Sequence, residues 1–150
     1  MRTRAAEGLA LAADIRPRIA HVRTELAAIQ RLAPNVVQRY QARLRQRLAA
    51  VQRDGKLPFD SVRVLTELGI FSERVDITEE ITRASCHLKH LKEALTSGGV
   101  VGKRLDFLLQ ELFRETSTIG NKANCADISR HCVAIKEELE KIREQVQNIE

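Results

Sequence analysis

Apolar positions recur at steps of three and four residues along almost the whole chain, the spacing that lines one face of an α-helix. The first stripe consists of Leu11, Ile15, Ile19, Val22, Leu26 and Ile29. Pro17 lies inside this stretch and should kink or divide the helix, while Ala33-Pro34 should end it and begin the next one. The next helix carries Val36, Val37, Tyr40, Leu44 and Leu48.

Turn-forming residues separate the next two helices. Residues 54–58 read Asp-Gly-Lys-Leu-Pro and predict a loop, after which Asp60 or Ser61 should cap a third helix. Residues 76–80 should open a fourth helix, which runs to about Leu95 and is stopped at Ser97-Gly98-Gly99.

The last two predicted helices carry the clearest stripes. Residues 102–122 form the fifth, and Asn124 to Asp127 should cap the sixth. The sixth repeats apolar residues at alternating steps of four and three, namely Ile128, Cys132, Ile135, Leu139, Ile142 and Val146. Such a seam predicts packing against another helix, either in this chain or across an oligomer interface. We therefore predict an all-α fold of about five to six long helices with short loops and bundle or coiled-coil-like packing, without β-strands.

Composition and charge limit the kinds of molecule that the protein is expected to bind. Only 3% of residues are aromatic, which predicts an aliphatic core and argues against binding of single-stranded RNA on an aromatic platform. Residues 1–56 hold 12 Lys or Arg against 4 Asp or Glu, whereas residues 57–150 hold 13 against 16. Within one all-α unit, we thus distinguish an Arg-rich helical arm (1–56) from a helical C-terminal part (57–150). The arm is either an ordinary solvated surface or a binding surface for a polyanion.

Cysteine usage and hydropathy indicate the compartment. Cys86, Cys125 and Cys132 form no CxxC motif, so we interpret them as buried or idle thiols of a reducing cytosol. Glu7 and Asp14 interrupt any signal-peptide core, and no segment approaches the roughly 20 apolar residues of a membrane span. We expect a cytoplasmic protein with no membrane partner.

Polar residues follow one face of the predicted fourth helix. Asp76, Glu80, Arg83 and His87 are spaced by four, three and four residues, with Glu79 and His90 beside them. Two carboxylates, an Arg and a His in one stripe suit a divalent metal, a bound phosphate or acid–base chemistry. A solvated ladder of ion pairs has the same spacing, so this helix alone leaves both interpretations open.

The fifth helix favours a functional site over a solvated ladder of ion pairs. Residues at four-residue steps form two neighbouring rows along this helix. One row holds Lys103, Phe107, Glu111 and Glu115, and the other holds Asp106, Gln110 and Arg114. Two glutamates one turn apart repel each other unless a cation lies near them. A Glu pair facing a helix that carries a His would make an oxygen-rich site for Mg²⁺ or Mn²⁺. His21 and His131 belong to no comparable cluster of polar residues in the sequence, and we interpret them as surface or packing residues.

Longer motifs resemble a known family. The chain is similar to the YicC/YloC family of bacterial proteins in RVDITEEITR followed by His87-Leu88, in GKRLDFLLQE, in Arg114-Glu115, and in the closing EKIREQVQNIE. RAAEG near the start and the APNVVQRYQARLRQRL segment also fit, so the resemblance covers essentially the whole chain.

The resemblance implies an endoribonuclease that needs a divalent metal (Mn²⁺ or Mg²⁺) and assembles as hexamers around RNA. The catalytic residues it implies are Glu80, Arg83, His87, Lys103, Glu111, Arg114 and Glu115. The metal ligands would come from Asp76, Glu80, His87, Glu111 and Glu115. The RNA-binding residues would be Arg39, Arg43, Arg47, Arg74 and Lys122.

This chain departs from the family in length and at several positions. Members begin with a separate N-terminal domain, so we expect this chain to be the C-terminal helical portion without part of the RNA clamp. The usual Asn-Arg-Glu-Ala-Asn is Phe113-Arg114-Glu115-Thr116-Ser117 here. Cys86 replaces the usual Ser, and Cys125 replaces an acidic residue. Two alternatives stay open: a non-catalytic RNA-binding adaptor of another ribonuclease, and a helical oligomerisation domain.

Overall fold

Five α-helices make up nearly all of the described structure. The computed structural model describes residues 2–53, 55, 61–97 and 102–148, without the side chains of residues 2–4, 51 and 61. The helices are α1 (Arg2–Arg53), α2 (Ser61–Val75), α3 (Thr78–Thr96), α4 (Gly102–Ala123) and α5 (Ala126–Gln147). No strand occurs within these ranges, so the all-α prediction is confirmed. Most of the predicted 54–58 loop, Asp60 and the Gly98-Gly99 stop lie outside the described residues.

The predicted division at Ala33-Pro34 is wrong, because α1 is one continuous helix of 52 residues, about 78 Å long. It contains both Pro17 and Pro34. Each proline removes one hydrogen bond to the carbonyl four residues earlier. Those carbonyls belong to Ala13 and Gln30, which lie with the prolines on the exposed side of the helix. Water can therefore satisfy them, and packing of the opposite face keeps the helix intact.

That opposite face of α1 lies in the core. Its residues Ile15, Ile19, Val22, Leu26 and Ile29 are all buried and pack in one apolar cluster with residues of α3, α4 and α5. The sequence predicted this stripe correctly, and burying each such side chain contributes roughly 1.5–3 kcal/mol.

The seam on α5 is confirmed. Ile128, Cys132, Ile135, Leu139, Ile142 and Val146 are all buried. Helix α5 packs against both α1 and α4, so the seam is used within the chain and is not free for an oligomer partner.

Tight connections set the order of the bundle. Only Asn124 and Cys125 separate α4 from α5, and Asn124 has a φ of 43°. Asn tolerates this left-handed conformation better than most residues, so the two helices reverse direction within two residues. Helices α3 and α4 also pack side by side. The second half of α1 contacts α2, with the Tyr40 and Phe71 ring centroids 5.6 Å apart.

Hydropathy of the helices bears on the membrane question. Within the described ranges, no helix combines the length and the apolar content that a bilayer crossing requires.

Candidate active site

Helices α3 and α4 meet along a seam whose floor is apolar. Ile81, Ala84 and Leu88 of α3 are buried, as are Leu108 and Leu112 of α4. Polar side chains lie along the edge, or rim, of this apolar contact. Each helix brings a residue to the same face every three or four positions. Cross-helix contacts fix the register: Arg83 meets Glu115, and Glu80 meets Lys122.

Three of the predicted ligands come together on this rim. One ligand atom from each of His87, Glu111 and Glu115 lies within 4.8 Å of the other two. His87 and Glu111 are half-buried, and Glu115 is buried. Among the described residues, no other group of three or more His, Cys, Asp or Glu side chains has ligand atoms this close together. One imidazole nitrogen with two carboxylates fits a divalent cation that accepts mixed nitrogen and oxygen ligands, such as Mn²⁺.

Arg83 positions the buried carboxylate of this group. Its Nε donates a hydrogen bond of 2.9 Å to Oε1 of Glu115. Arg83 also pairs with Glu79, and its Nη2 lies 3.8 Å from Oε1 of Glu80. The hydrogen bond with Glu115 raises the pKa of Arg83 above its ordinary value. Since a buried carboxylate without a partner is costly, Arg83 both stabilises and orients Glu115.

Glu80 extends the polar rim by one turn of α3. Its side chain is buried, and Oε1 accepts a hydrogen bond of 2.8 Å from Nζ of Lys122. Oε2 is also buried and has no hydrogen-bond partner among the described residues. An unsatisfied carboxylate oxygen destabilises the site unless water or a ligand occupies it. We call the six connected residues Glu80, Arg83, His87, Glu111, Glu115 and Lys122 the polar seam.

Asp76 lies apart from the metal-ligand group and has a structural role. Its Oδ1 accepts hydrogen bonds from the backbone N–H of Thr78, at 2.9 Å, and from the Thr78 hydroxyl. The side-chain hydrogen bond, followed by the backbone one, lowers the pKa of Asp76 below its ordinary value. The sequence predicted a metal ligand here, whereas the carboxylate of Asp76 holds the turn that leads into α3, across the N-cap residue Ile77.

The remaining predicted cations are exposed. Lys103 and Arg114 lie on the solvent side of α4, and neither forms an ion pair within the described ranges. Arg74 ends α2, with its guanidinium 5.5 Å from the Phe71 ring centroid. The other three predicted RNA-binding residues, Arg39, Arg43 and Arg47, are exposed at four-residue steps on α1. Asp106 faces away from the seam, because it pairs with Arg143 of α5 at 3.4 Å.

Sequence comparisons place these residues in a family. Residues 29–150 match the profile of "Endoribonuclease YicC-like, C-terminal". The chain belongs to the YicC-like endoribonuclease family. It is 38% identical over 147 residues to the "Probable endoribonuclease YicC" of Clostridioides difficile (strain 630). It is 37% identical over 147 residues to the protein of the same name from Haemophilus influenzae (strain ATCC 51907 / DSM 11121 / KW20 / Rd).

The alignments cover nearly all of this chain but only part of each relative. Each alignment includes 98% of this YicC-like chain but 50% of the relative. The chain therefore spans about half the length of the curated relatives it matches.

The departures from the expected YicC pattern have visible environments. Phe113 is partly exposed, and Nζ of Lys136 lies 5.1 Å from its ring centroid. Ser117 is half-buried on α4, and Cys125 directly precedes α5. Cys86 is exposed, with Sγ 4.0 Å from both ring nitrogens of His90. All four lie outside the polar seam, so the seam of this YicC-like chain keeps its carboxylates, its His and its cations.

A second polar network was missed by the sequence interpretation. His21 is 3.3 Å from Oε1 of both Glu25 and Glu138, and His131 pairs with Glu25. Arg18 donates to Glu138 at 3.1 Å. Burial raises the pKa of Glu138, but hydrogen bonds from Arg18 and His21 outweigh it and lower the pKa overall. The four-residue step from His21 to Glu25 was the available signal, whereas the partners on α5 required the fold.

Proposed function

We propose that this chain is the catalytic helical portion of a divalent-metal-dependent endoribonuclease. The observation that carries the proposal is the group of His87, Glu111 and Glu115, whose ligand atoms lie within 4.8 Å of one another. Membership of the YicC-like family supports RNA as the substrate. The proposed site of the chemistry is the rim of the α3–α4 seam, where these three side chains lie.

His87, Glu111 and Glu115 are the residues that would hold Mn²⁺ or Mg²⁺. Burial of Glu115 and half-burial of the other two exclude part of the solvent, and Arg83 keeps Glu115 in a fixed orientation. When bound, such an ion polarises a phosphate oxygen and generates a nucleophile near neutral pH. Imidazole beside two carboxylates favours Mn²⁺ over Mg²⁺, which prefers oxygen ligands alone.

The cations around the seam act on the RNA backbone. Arg83 lies next to the ligand group and, with exposed Lys103 and Arg114, would stabilise negative charge that develops on the phosphate oxygens. Lys122 holds Glu80 through its 2.8 Å hydrogen bond. Arg39, Arg43, Arg47 and Arg74 would bind phosphates away from the cut without reading sequence.

Assembly and location belong to the same proposal. Hexamers around RNA are what the family resemblance implies, and a cytoplasmic location is what cysteine usage and hydropathy indicate, with the exposed Arg stripe of α1 available to RNA. That stripe also suits a non-catalytic adaptor that binds RNA without metal, so metal dependence separates the two functions.

The test is cleavage of an end-labelled structured RNA by the purified chain in Mn²⁺, beside Glu111→Gln and Glu140→Gln. Glu111→Gln removes one ligand charge at similar size, and we expect a loss of at least about 100-fold in the cleavage rate. Glu140 is exposed on α5, and Glu140→Gln should cleave like the unmodified chain. Equal rates for all three proteins contradict the proposal, and salt-sensitive RNA binding without any cleavage favours the adaptor.

A further inference from the structure

One aromatic ring beside the polar seam has no partner to explain it. Phe107 is 57% exposed and makes no ring or cation–π contact within the described residues. The other described rings are engaged: Tyr40 packs on Phe71, which also lies near Arg74, and Phe113 is near Lys136. A single exposed apolar side chain is common on proteins, so its location decides whether it has a role.

Its location is one turn from a metal ligand. Phe107 precedes Glu111 by four residues on α4, which places the two side chains on one track about 6 Å apart along the helix. Glu111 belongs to the ligand group with His87 and Glu115. A ring in this position is within one nucleotide of a phosphate held at the group.

Three basic side chains lie on the same side of α4 as the ring. Lys103 precedes Phe107 by four residues, Arg114 follows it by seven, and both are exposed, as is Arg104. Seven residues are close to two turns, so Arg114 returns to the face of Phe107. An aromatic face within a basic strip is the composition with which proteins bind single-stranded nucleic acid, because every base has a π-face and every nucleotide a phosphate.

We propose that Phe107 stacks on the nucleobase adjacent to the scissile phosphate, so that cleavage requires that base to be unpaired. This inference rests on the proposed function and adds to it the substrate's local structure. A base inside a duplex has both faces covered, whereas a base in a loop, bulge or end offers one to the ring. The scarcity of aromatic residues excludes a platform for several bases, but one ring is enough for one base.

Stacking predicts selectivity for structure without selectivity for sequence. Any of the four bases can cover the ring, since no hydrogen-bonding side chain is needed at this position. Cut sites should therefore cluster at unpaired nucleotides of mixed identity.

The test combines a protein change with an RNA change. Cleavage in Mn²⁺ is measured for a labelled RNA with a mapped cut site, and for versions in which each nucleotide near that site is made abasic in turn. With the unmodified chain, removing the base that stacks on Phe107 should lower kcat/KM by about 5- to 150-fold. Phe107→Leu should show a similar loss with intact RNA and no further loss with the abasic one.

Two more variants separate stacking from a structural effect. Phe107→Trp keeps an aromatic face and should restore both the rate and the sensitivity to the abasic position. Phe113→Leu changes another partly exposed Phe of α4 and should leave both unchanged.

The outcomes distinguish this inference from the proposed function. Efficient cleavage by Phe107→Leu, with undiminished sensitivity to the abasic position, overturns the stacking role while the endoribonuclease stands. A change of oligomeric state in Phe107→Leu, measured by sedimentation, shows instead that a second copy covers the ring and also overturns it. Absence of cleavage by the unmodified chain contradicts the proposed function, and the inference falls with it.

Discussion

The carboxylate of Asp76 shows how a residue whose spacing suggests a metal ligand can have a structural role instead. It precedes α3 and accepts hydrogen bonds from the backbone and hydroxyl of Thr78, which lower its pKa below the ordinary 3.8. A carboxyl group with a lowered folded-state pKa stabilises the protein above its unfolded pKa, and this stabilisation is lost as the pH falls through the folded one.

We therefore predict that Asp76→Ala lowers the free energy of unfolding by about 1 kcal/mol at neutral pH, the magnitude typical of a lost side-chain hydrogen bond to the backbone. The difference between the variant and the unmodified chain should shrink as the pH falls below 3.8, because protonated Asp76 accepts hydrogen bonds less well. Urea denaturation at a series of pH values measures this. A difference that is constant down to the lowest pH contradicts a stabilising role for these two hydrogen bonds.

The three thiols should differ in reactivity because their burial differs. Cys86 is exposed, Cys125 half-buried and Cys132 buried, and burial raises the pKa of Cys132 to about 11. At pH 8 only about one Cys132 side chain in a thousand would be the reactive thiolate. In the folded chain we expect Cys86 to be alkylated first and Cys132 only on unfolding. Peptide mapping by mass spectrometry after timed alkylation checks the order, and rapid labelling of Cys132 in folded protein contradicts the buried seam of α5.

At the scale of elements, α1 shows where local signals fail. Pro34 favours the start of a new helix, but the buried stripe from Ile15 to Ile29 and the contacts with α2 keep one helix continuous through it. Tertiary packing thus outweighs the loss of single hydrogen bonds on the solvent side. By contrast, α3, α4 and α5 carry no proline and begin and end close to the residues expected from their apolar stripes, although the N-cap residues of α3 and α5, Ile77 and Cys125, form no side-chain cap hydrogen bond.

Continuity of α1 has a testable consequence. In a helix interior, Pro34→Ala restores a backbone hydrogen bond to Gln30 and relieves the clash of the ring, so we expect stability to rise by on the order of 1–3 kcal/mol. If Pro34 instead began a separate helix, Ala would be neutral or destabilising. Thermal unfolding with Gln38→Ala as the control, an exposed change on the same helix, distinguishes the two.

The polar seam illustrates what a sequence can and cannot predict about a site. Steps of three and four residues in the sequence are enough to place Glu80, Arg83 and His87 on one face of α3, and Glu111 with Glu115 on one face of α4. The steps within a helix carry no information about register between helices. That register selects His87 as the partner of the two glutamates, pairs Glu80 with Lys122, and leaves Asp76 outside.

At the scale of the whole molecule, charge is separated along the chain. The Arg stripe at Arg39, Arg43 and Arg47 lies on the half of α1 that contacts α2, whereas the ligand group lies between α3 and α4. A substrate held by both would need to be an extended polyanion rather than a small phosphate ester, which agrees with RNA.

We predict that replacing Arg39, Arg43 and Arg47 together by Gln weakens RNA binding. The slope of log Kd against log salt concentration should fall by about 0.7–0.9 for each RNA phosphate that these side chains neutralise. The matched control replaces the same three by Lys, which keeps the charge and should keep the slope. Binding is measured by fluorescence anisotropy over a range of salt concentrations. EDTA is present to remove the metal ion on which the proposed cleavage depends. An unchanged slope in the Gln variant shows that the stripe is only a solvated surface.

The most direct measurement of the central claim is the initial rate of RNA cleavage against the free Mn²⁺ concentration, for the unmodified chain and for Glu111→Gln. A site built by His87, Glu111 and Glu115 predicts no cleavage in EDTA, a saturable rise with Mn²⁺, and background rates for the variant throughout. Circular dichroism of both proteins verifies that the helices are intact. Cleavage that persists in EDTA, or superimposable curves for the two proteins, would contradict a metal-dependent active site on the α3–α4 seam.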